Sequence, residues 1–360
     1  MRPAVPVLAL LLSCCAPHSQ PPTPDPAAVK EEKSTELQLA YDHEMDKYEQ
    51  LHRVSYRLSV AAADFCGTHI GRAGGFIATS IGSVQERYRS AAHQRYPGLG
   101  DPPMVTYVVP GSAAEAAGLK QGDVITDLDG EHVSSDYKVM ENFTAQLRKA
   151  ASGPLHLTVL RAGVPVMVTL QPVRTCNYPF HIVADPSINA FGDGEAVYVM
   201  DGMMEFVRSD DELAVVLGHE MTHDFRGHID TKRKNIIAGL LVGTVIDFVV
   251  TAGTHTVEPL LRYRLAEVGA LAFSKQFEAE ADYIGLYVMA RAGYPIDDAA
   301  QFWRRMAVAE PGTITMARDH PPTPERFVAL NATIAEIKSK EARGLPLVPN
   351  EKPGSVAATQ

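Results

Sequence analysis

At 360 residues, 46% of them hydrophobic, the chain exceeds one typical domain and has apolar content for two folded units plus tails. That ordinary composition argues against a disordered or multi-span membrane chain. A net charge of −10 with no long basic run argues against nucleic acid as a partner, because binding a phosphate backbone needs clustered Lys and Arg.

At the N-terminus, Arg2 precedes a short apolar run from Val5 to Leu12, followed by Ser13-Cys14-Cys15. The run is too short to span a bilayer and fits the apolar region of an export signal. Leu11-Leu12-Ser13-Cys14 also resembles the bacterial lipobox. That resemblance implies a signal peptide over 1–13 and a lipid on Cys14 anchoring the chain to a membrane. A plain signal peptide with two incidental cysteines is the alternative. Cys15 rather than Asp follows Cys14, so the implied address is the periplasmic face of the outer membrane. The Pro-rich stretch over 14–32 reads as an extended tether. Over 33–65, Leu37, Tyr41, Met45, Tyr48, Leu51, Leu58 and Ala62 recur mostly at three- and four-residue steps, which predicts one amphipathic helix with a packing face.

Cys66 and Cys176 are the cysteines left in the folded part. An exported chain meets an oxidising compartment, so they are candidate disulfide partners bracketing a middle unit over 66–175. Two separate buried thiols are the other reading.

The core of that unit, 104–173, opens with the β-rich Val105-Thr106-Tyr107-Val108-Val109. Val124 leads a strand to an Asp129-Gly130 turn, and a helix follows around Tyr137 to Lys149. Strands Leu155 to Arg161 and Val164 to Leu170 then flank an Ala162-Gly163 turn. The pattern closely resembles a bacterial PDZ domain. The resemblance implies recognition of an extended peptide added as a strand, with its terminal carboxylate held in a backbone nest. Gly98-Leu99-Gly100 is the candidate loop for that carboxylate. A spacer without a ligand is the alternative.

The remainder, 176–340, reads as mainly helical with one strand, Ala196 to Met200, and 341–360 as a disordered tail. Glu212 to His223 forms a helix carrying His219-Glu220-x-x-His223, with Asp210 and Asp211 placed to cap it. A four-residue step puts both imidazoles on one face, a turn apart, where they can share an ion. Glu220 is then close enough to take a proton from the attacking water without ligating. On a second helix, Glu278 offers a third ligand, leaving one position open as a catalytic zinc requires. Asp282, one turn on, is placed to accept the second N–H of a ligand imidazole. A solvated acidic face is the other reading of Glu278, Glu280 and Asp282, with Glu280 the residue most exposed.

His219-Glu-x-x-His223, Glu278-x-x-x-Asp282, Asn189-Ala190-Phe191 and the following strand together resemble the HtpX/BepA family of gluzincins, which also includes the CAAX prenyl proteases. The resemblance implies an α+β fold, a mainly helical zincin-type peptidase domain with a small edge-strand sheet after the PDZ-like unit. It also implies one Zn2+ held by His219, His223 and Glu278, Glu220 as general base, and the Ala196 to Met200 strand as the edge receiving substrate. Asp319-His320-Pro321 followed by Arg326 resembles the family's His-Pro segment. His320 is thereby a candidate fourth ligand that masks the site or an oxyanion stabiliser, and otherwise a loop histidine. Arg326 is a candidate transition-state contact or the partner of a carboxylate.

The function implied is a zinc metalloendopeptidase acting on misfolded or unassembled envelope proteins. The rival is a chaperone-like outer-membrane assembly factor with a mostly masked site. Ile236 to Ala252 is apolar but short and carries Asp247, which makes it a buried helix or an apolar hairpin over membrane or cleft rather than a span.

Overall fold

The computed structural model describes residues 21–133, 138–150, 153–254, 274–309 and 324–351, with 19 and 264. Cys14 and His320 lie outside the described residues.

Helix α1 runs from Pro26 to Ala61. It starts seven residues before the expected boundary, so 26–32 is helix rather than extended tether. The local cause is the N-terminus: Asp25 accepts the Ala27 N–H, and Pro26 occupies the first turn, where its missing N–H costs nothing. Its second half is buried through Leu51, Val54, Leu58 and Ala61.

Strands β1 (Ile70–Ala73) and β2 (Phe76–Thr79), helix α2 (Arg89–Arg95), strand β3 (Met104–Val108), the short helix α3 (Ala113–Ala116), strands β4 (Val124–Leu128) and β5 (Glu131–His132), helix α4 (Val139–Ala150), and strands β6 (Leu155–Arg161) and β7 (Val164–Leu170) build the middle unit. Its sheet has the order β2-β3-β4-β6-β7, with β5 paired to β4. Val105, Ile125, Phe143, Leu157, Val159 and Leu170 fill its core. The β6–β7 hairpin closes at Ala162 (φ 49°) and Gly163 (φ 80°), and two consecutive positive φ values give the twist a two-residue hairpin needs. Strand β8 (Val173–Cys176) returns to pair with β1. A disulfide joins Cys66 to Cys176, with Cα atoms 5.7 Å apart.

The third part contains strands β9 (Phe180–Val183), β10 (Ala190–Gly192) and β11 (Val197–Met200), followed by α5 (Asp201–Phe206), α6 (Asp210–Phe225), α7 (His228–Thr254), α8 (Ser274–Arg291), α9 (Ala299–Ala309) and α10 (Pro324–Ala342). Two of these strands escape the sequence reading because they are only three or four residues long. They also change the role of the third. β11 lies between antiparallel β10 and parallel β9, so it is the centre of its sheet and not a free edge. α7 is one continuous helix rather than a hairpin, with Ile237, Leu241 and Val242 exposed rather than buried. Among the described residues no helix is long and apolar enough to cross a membrane.

α1 joins the units. Arg53 makes a bidentate pair with Asp210 (2.6 and 2.7 Å) at the start of α6, while its third nitrogen reaches Tyr107 Oη on β3 at 3.1 Å. The C-terminal segment is ordered through Glu351, in contrast to the expected disordered tail. Leu347 packs on the main core, and the Asn350 N–H donates to Tyr283 Oη at 2.9 Å.

Candidate metal centre

Helix α6 is set by its first turn. Ser209, not Asp210 or Asp211, is the N-cap: its Oγ accepts the Glu212 N–H, and Glu212 accepts the Arg208 N–H. This reciprocal capping leaves Asp210 free to pair with Arg53, while three acidic residues in the first turn favour the positive end of the helix dipole. Every residue from Leu213 to Asp224 is buried.

The close crossing of α6 and α8 brings the site together. A Cβ on Gly218 would stand 3.2 Å from the Gly285 carbonyl oxygen, and one on Gly285 would stand 3.0 Å from the Gly218 carbonyl carbon. Small residues at this crossing let the backbones approach until Glu278 and Asp282 meet the histidines.

His219 Nε2 and His223 Nε2 are 3.2 Å apart, and Glu278 oxygens lie 3.3 Å from the first and 3.4 Å from the second. All three residues are buried, with ligand atoms within 4.8 Å of one another. Ligand bonds of about 2.0–2.1 Å in a tetrahedron put neighbouring ligand atoms about 3.3 Å apart. The donor set and its spacing therefore fit a divalent metal.

Asp282 Oδ1 lies 2.9 Å from His219 Nδ1. Arg326 Nε and Nη2 donate to the same carboxylate at 2.7 and 2.8 Å, and the guanidinium stacks 4.1 Å over Trp303. Of the two readings of Arg326, the carboxylate pair is the one observed. Arg326 also feels the charges of Glu278 and Glu220, so it stands beside the ligand cluster while its hydrogen bonds go to Asp282. Burial pushes Asp282 up, but Arg326 and His219 outweigh it and hold the carboxyl below its usual range. Burial likewise pulls His219 down, and Asp282 with Glu278 more than offset this, raising it to about 9. Glu220 is buried on α6 and adds its negative charge to those of Asp282 and Glu278 around Arg326.

Glu280 is not simply solvated. It lies 3.1 Å from His228 Nε2 and accepts from Arg226 Nε at 2.9 Å. His228 escapes a reading based on four-residue steps because Gly227 (φ 67°) ends α6 before it.

Gly98-Leu99-Gly100 is a packed turn before β3, next to the C-terminal end of β2. Leu99 is buried against Tyr41, Tyr96 and Met104, and the Gly100 carbonyl accepts the Ile81 N–H. The sheet ends on β2 and on β7, and β2 is entered through Gly74 and Gly75. Gly75 has φ 80°, and a Cβ there would sit 2.4 Å from Ser112 Cβ. A groove of about 750 Å³ runs along this edge, between β2, Phe143 and Leu147 of α4, and His52 and Tyr56 of α1.

Residues 162–334 match Peptidase family M48, and residues 104–161 match a PDZ domain. The chain is 28% identical over 222 residues to the mitochondrial metalloendopeptidase OMA1 of Schizosaccharomyces pombe, covering 61% of this chain and 64% of that one. It is 29% identical over 175 residues to the metalloprotease LoiP of Escherichia coli (47% and 66%). It is 26% identical over 154 residues to a putative beta-barrel assembly-enhancing protease of Vibrio cholerae (40% and 31%). The chain thus spans less than two-thirds of the length of each of these relatives. It joins a segment that matches a PDZ domain to one that matches Peptidase family M48.

Proposed function

We propose that the protein is a zinc metalloendopeptidase of the bacterial envelope, tethered through Cys14, that cleaves misfolded or unassembled envelope proteins. The observation that carries the reading is the convergence of His219 Nε2, His223 Nε2 and the Glu278 carboxylate in a buried cluster, with Glu220 on the same helix. Two imidazoles and one carboxylate are the ligand set of a catalytic zinc that keeps one position open. Zinc bound there would supply a Lewis acid to polarise the scissile carbonyl and make water a better nucleophile at neutral pH.

The chain's own residues do the rest. Glu220 takes the proton of the attacking water and returns it to the leaving amine. Asp282 holds the His219 hydrogen on Nδ1, keeping Nε2 as the ligand atom. Arg326 neutralises Asp282 and fixes its direction. With β11 paired on both sides, an extended substrate would add to the outer strand β10. That strand adjoins the end of α6, where Asp224 accepts the Gly194 N–H at 2.8 Å. The β2 edge and its groove would take an extended peptide, or a substrate's C-terminus, in the PDZ manner.

The test is hydrolysis of an unfolded polypeptide by purified Glu220→Gln. Cleavage should fall by at least about a thousandfold, within the range that a lost general base and its positioning explain, while zinc content stays near wild type. Cleavage at the wild-type rate would end this mechanism.

A further inference from the structure

A ligand imidazole must present one nitrogen to the metal and keep its hydrogen on the other, so its second nitrogen needs a fixed acceptor. For His219 that acceptor is Asp282. For His223 the structure offers another histidine. His228 Nδ1 lies 3.0 Å from His223 Nδ1. The positive φ at Gly227 turns the chain back after α6, so that His228, the first residue of α7, returns to the metal helix. His228 is 2% exposed, and its ring stacks on Phe277 at 4.5 Å with a 19° interplanar angle, which fixes its plane.

The hydrogen directions follow from this geometry. With His223 Nε2 in the ligand cluster, His223 Nδ1 carries the hydrogen and His228 Nδ1 accepts it. His228 then carries its own hydrogen on Nε2 and donates it to Glu280 Oε2 at 3.1 Å. Glu280 accepts in turn from Arg226, whose Nη2 stands 3.1 Å from both carboxylate oxygens of Glu351. Glu351 is held in place because Asn350 ties the C-terminal segment to Tyr283 Oη and to Glu336, each at 2.9 Å. His228 is not itself in the ligand cluster, because it meets the nitrogen of His223 that faces away from Glu278.

We propose that His228 is the positioning residue of His223, and that Glu280, Arg226 and Glu351 brace it so that the seated C-terminal segment strengthens metal binding. This rests on the reading that His219, His223 and Glu278 hold zinc. It adds a residue outside the His-Glu-x-x-His and Glu-x-x-x-Asp pattern and gives the C-terminal segment a role at the site.

The experiment measures the zinc dissociation constant of the full chain by competition with a chromophoric chelator, alongside thermal melts of the metal-free protein. His228→Ala should weaken zinc binding about 10–100-fold, the usual cost of losing an outer partner of a ligand. His228→Asn, whose amide oxygen can accept from His223, should restore most of the loss. A merely structural role would move the metal-free melt and leave the two substitutions alike. Glu351→Gln should cost about twofold, as suits a part-exposed ion pair.

Wild-type zinc affinity in His228→Ala, with an unchanged metal-free melt, overturns the inference. If His228→Ala does not fold, Glu280→Ala carries the test, with a loss of about threefold expected and wild-type affinity overturning the inference. His219→Ala separates the two levels. If it keeps zinc, the zinc reading itself fails; if it loses zinc while His228→Ala binds normally, only this inference fails.

Discussion

The two histidines of the metal centre are held by arms of opposite character. The His219 arm is short and dry: Asp282, Arg326 and Trp303 are all buried, and the carboxylate is gripped by two guanidinium nitrogens. The His223 arm is longer, running through buried His228 to part-exposed Glu280 and Arg226 and then to exposed Glu351. A buried ion pair is costly to break and insensitive to solvent, whereas an exposed chain of charges is weak and easily tuned. One arm therefore fixes the site, and the other lets a distant part of the chain reach it.

The largest expected effect is on the dry arm. Arg326→Ala strands Asp282 among the buried carboxylates Glu278 and Glu220, and should destabilise the protein by about 3–5 kcal/mol in urea unfolding. A loss below about 1 kcal/mol, the scale of an exposed ion pair, would erase the contrast between the arms. Next comes Asp282→Asn, which should weaken zinc binding about 10–100-fold. It should do so equally at low and high salt, as titration against a chelator would register.

The pH dependence is smaller and has a definite sign. In the metal-free protein the folded His219 pKa, raised to about 9, exceeds its ordinary 6.5. The His219–Asp282 contact therefore contributes its full stability below about 6.5, and that stability is lost as pH rises through about 9. Zinc needs the neutral imidazole, so its affinity should climb over the same window. Melts of metal-free protein and zinc titrations at matched pH give both curves, and a flat zinc affinity from pH 7 to 9 would break the account. The smallest effect is on the outward arm. Raising salt to 1 M, where the Debye length falls to about 3 Å, should abolish the Glu351→Gln difference in zinc affinity and leave that of Asp282→Asn intact.

These differences also explain what could be read from the chain. His219, His223, Glu278 and Asp282 are legible because each pair sits four residues apart on a single helix, so local periodicity alone puts them on one face. The hairpin at Ala162-Gly163 is legible for a similar reason, since two residues decide it. His228 is not, because it lies across the chain reversal at Gly227 and meets His223 only through tertiary folding. Glu280 sits on the face away from Glu278, and its partner Arg226 comes from another element. β9 and β10 are too short to leave a periodic pattern, so the sequence shows β11 without the two neighbours that make it the centre of its sheet. Composition alone does not tell the Gly74-Gly75 entry to β2 from the packed turn at Gly98-Leu99-Gly100.

The most direct test of the centre compares two carboxylates two residues apart on α8. Zinc content should be measured after desalting in wild type, Glu278→Gln and Glu280→Gln. One zinc per chain is expected in wild type and in Glu280→Gln, and almost none in Glu278→Gln. Zinc retained in Glu278→Gln, or lost alike from both variants, would contradict that expectation.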